Sequence, residues 1–324
     1  MAQLAYILSA SHSGSTLLAM LLGAHPEACT VGELKATGLG NPEHYRCSCG
    51  SVLKQCGFWT QVGQAMARRG IADFDITRAG TNCLDVPSPF ARRLLAPLQH
   101  GATLESIRDL ALLFSPAWRA HLGETQFRNV ALVESLQEVT RAKIVIDSSK
   151  IALRLKYLLR NPALEIKVIR LIRDGRAVAL TYTDEWTFAD AADPNLRGGG
   201  FGSQREPAQR NMANAAREWK RSNEAADCLV AGLPRSQWIE VRYEELCGQP
   251  EAVLRHLCEF LGLSPDKINL EFRACSQHVI GNGMRLDSSS EIRLDERWRT
   301  HLSAEELQVF NNVAGELNRQ YRYT

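Results

Sequence analysis

A short apolar stretch, Leu4–Leu8, runs straight into Ser9-Ala10-Ser11-His12-Ser13-Gly14-Ser15-Thr16 and then into the apolar helical run Leu17–Leu22. A strand, a loop of small residues and a helix in immediate succession form an anion site. Backbone N–H groups and the positive helix end converge on one point and suit a phosphate. A nucleotide-hydrolysing P-loop reads G-x-x-x-x-G-K-[ST], with its lysine on the β- and γ-phosphates and its hydroxyl on Mg²⁺. In that register this chain has Ser9 for the first glycine, Gly14 for the second, Ser15 for the lysine and Thr16 for the hydroxyl. The cradle is kept and the lysine is missing, which implies a phosphorylated donor other than one split as ATP is.

Three further stretches read as strands: Lys143–Asp147, Ile166–Ile172 and Trp238–Val241. Helical patterns follow at Leu17 onward, Ile151–Arg160 and Ala177–Trp186. Strands alternating with helices predict an α/β fold with a P-loop-like parallel sheet flanked by helices. From about 58 to 141 the chain reads mostly as helix, with Leu104–Leu113 and Val130–Val139 the clearest runs. That interval exceeds an ordinary crossover, so a helical substrate-cap insertion is expected within a single domain spanning 1–324. The glycine-rich run Arg197–Ser203 reads as a mobile loop, and Glu251–Leu261 and Ala304–Leu317 as amphipathic helices.

The 38 Lys and Arg against 36 Asp and Glu leave a net charge of +2, which argues for neither a nucleic-acid partner nor an acidic membrane surface. No apolar run reaches the roughly 20 residues that span a bilayer, and no basic segment precedes the first strand. With nine cysteines and no secretory signal, reduced thiols and a cytoplasmic location are expected. His44, Cys47, Cys49 and Cys56 offer a possible zinc set. Cys-x-Cys is tighter than the usual Cys-x₂-Cys, and a disulfide or plain buried thiols fit the same residues.

The second strong signal is Leu171-Ile172-Arg173-Asp174-Gly175-Arg176-Ala177, with Thr181 eight residues after Arg173. It places an arginine at the carboxyl end of a parallel strand, where open α/β sheets bind ligands. Arg173 by its fork and Thr181 by its hydroxyl suit a second phosphate. An Arg173–Asp174 surface ion pair at a helix start fits the same letters.

Together, the loop at His12–Thr16 and Arg-x₇-Thr at Arg173–Thr181 resemble the two donor-binding segments of sulfotransferases that use 3′-phosphoadenosine 5′-phosphosulfate. The likeness extends through His25-Pro26, Gly32-Glu33, Val145–Lys150, Glu240–Leu246 and Gly281-Asn282-Gly283-Met284-Arg285, particularly toward the tyrosylprotein and bacterial branch. It covers the first 35 residues and most of 143–324. The resemblance implies that Ser11, His12, Ser13, Gly14, Ser15 and Thr16 cradle the 5′-phosphosulfate and that Arg173 and Thr181 hold the 3′-phosphate. Asn282, Arg285 and Arg293 belong to a late segment that closes over the nucleotide.

The resemblance also assigns catalytic roles. Glu33 is the expected general base, with a cap on the next element as the structural alternative and His100, His121 or His278 as other bases. His12 stands where the family usually has lysine or arginine, so His12 with Lys150 is expected to stabilise the departing oxygen, while Lys35 orients donor or acceptor. Transfer is expected to be in line and free of metal, because a sulfuryl group carries less charge than a γ-phosphoryl. The implied acceptor is a hydroxyl or amine of a small molecule, lipid or sugar. A degenerate P-loop small-molecule kinase and a non-catalytic nucleotide-diphosphate-binding module are the alternatives. Oligomeric state is not legible.

Overall fold

The computed structural model describes residues 1–36, 39, 43–95, 102–183, 211–287 and 289–324. Within them five strands form one parallel sheet: β1 (Ala2–Leu8), β2 (Ala28–Thr30), β3 (Ile144–Lys150), β4 (Leu164–Ile172) and β5 (Trp238–Arg242), in the order β2-β3-β1-β4-β5. Helices α1 (Ser15–Gly23), α2 (Gly57–Arg68), α3 (Pro89–Leu95), α4 (Ala102–Leu113) and α5 (Pro116–Thr140) precede β3. They are followed by α6 (Ala152–Leu158), α7 (Gly175–Thr183), α8 (Met212–Ala231), α9 (Tyr243–Gly248), α10 (Pro250–Leu261), α11 (Trp298–His301) and α12 (Ala304–Gln320).

The strands are branched and apolar because both faces of the sheet are covered. Alternate residues of β1 divide between two cores. Leu4, Tyr6 and Leu8 pack with α2, α5, α6 and α8, whereas Ala5 and Ile7 pack with α1, α9 and α10. β1 lies at the centre, with β3 and β2 on one side and β4 and β5 on the other. Connections therefore leave β1 in both directions, and the crevice beyond its carboxyl end lies where doubly wound sheets bind ligands.

The four expected strands are present with small shifts of boundary, and β2 is an addition. It is three residues long and carries no run that a sequence pattern reveals. The long interval of helices accordingly opens after β2. Ser148 and Ser149, which suit a helix cap by composition, instead lie inside β3; the residue before α6 is Ile151, with no side-chain cap. The expected helix through Trp186 is described as far as Thr183; residues 184–186, His100 and the run Arg197–Ser203 lie outside the described residues.

Candidate functional site

The loop after β1 turns sharply at two residues in the left-handed region, His12 (φ 61°) and Gly14 (φ 88°), before α1 begins at Ser15. Gly14 is required twice over. Its φ disfavours a side chain, and a Cβ would fall 2.3 Å from the ring of Tyr243. The tyrosine thus lies against the loop. Arg173, at the end of β4, stacks on the same ring at 4.3 Å and donates from Nη1 to the His12 carbonyl at 2.8 Å. Its Nη2 donates to the Asp295 carboxylate at 2.9 Å. Burial pushes the Asp295 carboxyl up, but hydrogen bonds and charge from Arg297 and Arg173 outweigh it and hold the group well below the usual carboxylate range.

Glu33 follows Gly32, whose φ of 80° brings its Cα against the Ile280 carbonyl; a Cβ there would lie 2.0 Å from that oxygen. The turn rests on Asp147. One carboxylate oxygen accepts from the backbone N–H groups of Leu34 at 3.1 Å and Ser149 at 2.8 Å. The other accepts from Arg154 Nη1 at 2.7 Å, in an ion pair fully removed from solvent. Arg154 in turn donates to Asn129 of α5. A single buried carboxylate therefore fixes the amide that follows Glu33 and the amide that precedes Lys150. Lys150, itself at φ 71°, donates to Glu33 Oε1, and Lys35 pairs with Glu33 Oε2 at 3.1 Å. Burial raises the Glu33 carboxyl, yet the two ammonium groups overcome it and hold the group at about 2, down from 4.5. Burial lowers Lys150 despite its partner.

These elements open on one cleft of about 1580 Å³. Ser11, His12, Gly14, Ser15, Thr16, Glu33, Lys35, Lys150, Arg173, Thr181, Asn282 and Arg293 all line it. The segment between α2 and α3 contributes Thr77, Arg78, Gly80 and Asp85. Of the five described non-glycine residues with positive φ, His12, Ala36 and Lys150 are on the cleft wall. Backbone strain persists where a site over-determines it, and its clustering here marks the cleft as the functional region.

Two expected binding residues sit differently. Ser13 is buried behind the loop. Arg285 is also buried; it lies over the Tyr45 ring and donates to the backbone oxygens of Arg46 and Gly281, so it braces the late loop and does not line the cleft. The Thr181 hydroxyl bonds to its own helix at Ala177 O. Asn282 lines the cleft while its side chain caps the turn at Met284 N. Of the alternative bases, His121 bonds to the Cys83 carbonyl and His278 lies beside cysteines; neither lines the cleft.

Sequence reasoning assigned no role to Tyr243 or Asp295. Tyr243 falls inside a segment of recognised likeness, but its contact with Gly14 spans the sheet. The cysteine cluster also differs from the expected set. Cys47, Cys49 and Cys56 converge with His278, and His44 is exposed. The hairpin closed by Arg46 and Val52 buries Cys47 and leaves Cys49 at the surface beside Cys56, after His44 has passed.

Residues 165–267 match the model of the Sulfotransferase family. Carbohydrate sulfotransferase 6 of Homo sapiens is 34% identical over 109 residues, covering 33% of this chain and 27% of that protein. Carbohydrate sulfotransferase 1 of Mus musculus is 26% identical over 184 residues, 52% of this chain and 41% of that one. The chain thus spans less than half the length of these curated relatives. The sulfotransferase domain of the Synechococcus PCC 7002 olefin synthase superposes with a TM-score of 0.50 at 17% identity, over 99% of this chain and 95% of that domain, and shows the same fold. The matched segment begins in β4 and carries Arg173, Thr181 and Tyr243, so the likeness to sulfotransferases falls on residues that line the cleft.

Proposed function

We propose that this protein moves a sulfuryl group from 3′-phosphoadenosine 5′-phosphosulfate to a hydroxyl acceptor, and that the acceptor is a carbohydrate. The observation that carries the reading is convergence: a phosphate loop without the ATPase lysine, an arginine at the next strand end and a glutamate between two lysines share one cleft. The residues present fit an anionic donor. The Ser13 hydroxyl and the Arg173 Nε are buried without a hydrogen-bond partner in the loop wall, and the N-terminus of α1 supplies N–H groups. The names of the relatives favour a sugar over the other acceptors.

In this reading the amides and hydroxyls at Ser13–Thr16 take the 5′ end of the donor, and Arg173 with Thr181 takes the 3′-phosphate. Glu33 accepts the proton of the acceptor hydroxyl. The acceptor oxygen bonds to sulfur as the bond from sulfur to the donor's phosphate oxygen breaks, and His12 and Lys150 balance the charge left on that oxygen.

A carboxylate held at about 2 is a weak base while both lysines face it. A donor's sulfate and phosphate oxygens compete for the same ammonium groups, so donor binding raises the basicity of Glu33. The test is calorimetric binding of adenosine 3′,5′-diphosphate without metal, followed by labelled sulfuryl transfer to a panel of oligosaccharides. Diphosphate binding with transfer to a sugar is expected. An absence of diphosphate binding overturns the donor assignment, and binding with transfer only to non-sugar acceptors overturns the acceptor.

A further inference from the structure

The cleft leaves unused a cluster of three cysteines and a histidine drawn from distant parts of the chain. Cys47, Cys49, Cys56 and His278 each present one ligand atom, and those atoms all lie within 4.8 Å of one another. Cys49 Sγ and Cys56 Sγ are 3.7 Å apart, and His278 Nδ1 lies 3.6 Å from Cys47 Sγ and 3.3 Å from Cys56 Sγ. Bonds of about 2.3 Å to sulfur and about 2.05 Å to nitrogen put the edges of a tetrahedral zinc site at roughly 3.8 Å for S···S and roughly 3.5 Å for S···N. These three separations lie close to such edges, and the other pairs lie within 4.8 Å. None of the cysteines is in a disulfide, and a sulfur–sulfur gap of 3.7 Å is far from a bond.

The backbone is built to hold this set. Gly50, at φ 85°, donates to the Cys47 carbonyl at 2.9 Å, and Cys47 donates to Ser51 at 3.0 Å, which folds Cys47-x-Cys49 into a tight knuckle. Ser48, between the two cysteines, clasps the strand that carries the histidine. Its N–H donates to the Val279 carbonyl, and its hydroxyl donates to the Gln277 carbonyl and accepts from the Val279 N–H. Phe58 stacks flat on the His278 ring at 4.3 Å, with 4° between the planes, so the imidazole is oriented independently of any ligand.

We infer that Cys47, Cys49, Cys56 and His278 form a structural zinc site. Three thiolates and an imidazole suit zinc over hard cations, and four protein ligands leave no open position for catalysis. Exposed Cys49 gives the ion a way in. The site's role is mechanical. Beside Cys47, Tyr45 holds the backbone of Gly281 through its hydroxyl, and Gly281 lies against Glu33 on the cleft wall. Zinc would tie this wall to the start of α2 while transfer at the cleft itself proceeds without metal.

The test is metal analysis of the purified full chain, with thiol counting. One zinc per chain is expected, released by a mercurial reagent, lost in Cys49→Ser and His278→Ala, and retained in His44→Ala. Stripping the ion with a strong chelator should lower Tm, and readdition should restore it. Absence of zinc from protein made in zinc-replete medium overturns the inference, as does a Cys49–Cys56 disulfide found by mass. Should both variants fail to fold, cobalt exchanged into the unmodified chain decides. The visible bands of a tetrahedral thiolate site support the assignment, and their absence refutes it.

Discussion

Asp295→Asn is expected to strengthen binding of the donor product, an unusual outcome for a change beside a binding arginine. The Asp295 carboxylate takes Arg173 Nη2 at 2.9 Å, with the two side chains 26% and 7% exposed. A 3′-phosphate on the guanidinium would have to displace this carboxylate or sit close to it. At a separation of about 5 Å and an effective dielectric of about 20, each unit of like charge costs roughly 3 kcal/mol. Solvent in the cleft and salt reduce that to about 1–2 kcal/mol, or roughly 5- to 30-fold in Kd. The asparagine keeps the shape, and the second bond from Arg173, to the Asp295 backbone oxygen at 3.2 Å, is unaffected. Because Arg297 and Arg173 outweigh burial and hold this carboxyl well below its usual range, the competition persists across neutral pH. Titration calorimetry with adenosine 3′,5′-diphosphate and with 5′-AMP reads the effect. The gain should be confined to the diphosphate and shrink as salt rises, and Arg173→Ala should weaken the diphosphate alone. An equal gain for 5′-AMP, or no gain for either ligand, refutes the placement of the 3′-phosphate on Arg173.

Glu33→Gln should retain diphosphate binding and lose about 10²-fold or more in kcat, the usual scale for a general base; full turnover would remove Glu33 from the reaction. The same variant tests the linkage of Glu33 to stability. The carboxyl falls from 4.5 unfolded to about 2 folded, so its contribution is complete above pH 4.5 and is lost as pH falls toward 2. Urea unfolding at pH 6 and pH 3 should therefore show a shallower acid loss in Glu33→Gln than in the parent. Gly14→Ala, which forces a Cβ into Tyr243 at a left-handed φ, should abolish diphosphate binding at little cost to the distant core, as calorimetry and thermal melts will read. Arg154→Met leaves Asp147 as an uncompensated buried charge and should cost about 3–5 kcal/mol in urea unfolding, with much of that regained in the Asp147→Asn, Arg154→Met double variant.

The sheet was legible because strands covered on both faces carry apolar runs, as Leu4–Leu8 of β1 and Ile144–Ile146 of β3 do, and β4 keeps branched apolar residues between Glu165, Lys167 and Arg170. Legibility ended where residues serve the site. Ser148, Ser149 and Lys150 continue β3, yet they read as a helix start, because a strand end that opens on a cleft abandons the apolar pattern. β2, at three residues, is defined by its pairing to β3 and not by its own composition. Motifs located most of the site and could not orient it. Arg285 sits in a segment of strong likeness but turns inward to Tyr45, a direction set by contacts with residues more than two hundred positions away. Long-range closure likewise decided the fourth member of the cysteine cluster. His44 is the histidine near in sequence, whereas His278 is delivered by the pairing of Gly32 with Ile280.

The missing P-loop lysine does not leave the cleft short of positive charge, because Lys35, Lys150 and Arg173 line it. Asp147, fully buried, anchors the amides after Glu33 and before Lys150 with one oxygen and neutralises Arg154 with the other. The two lysines that face the cleft both pair with Glu33, while the charge of buried Asp147 also acts on Lys150. In the proposed reaction such an arrangement stores the base in its least basic state, because two cations hold the carboxyl at about 2. The charge that would release it is that of the anionic donor, which the lysines can grip in place of Glu33. In the proposed reaction base strength is thus coupled to donor occupancy, and proton abstraction waits until a group is in place to be transferred.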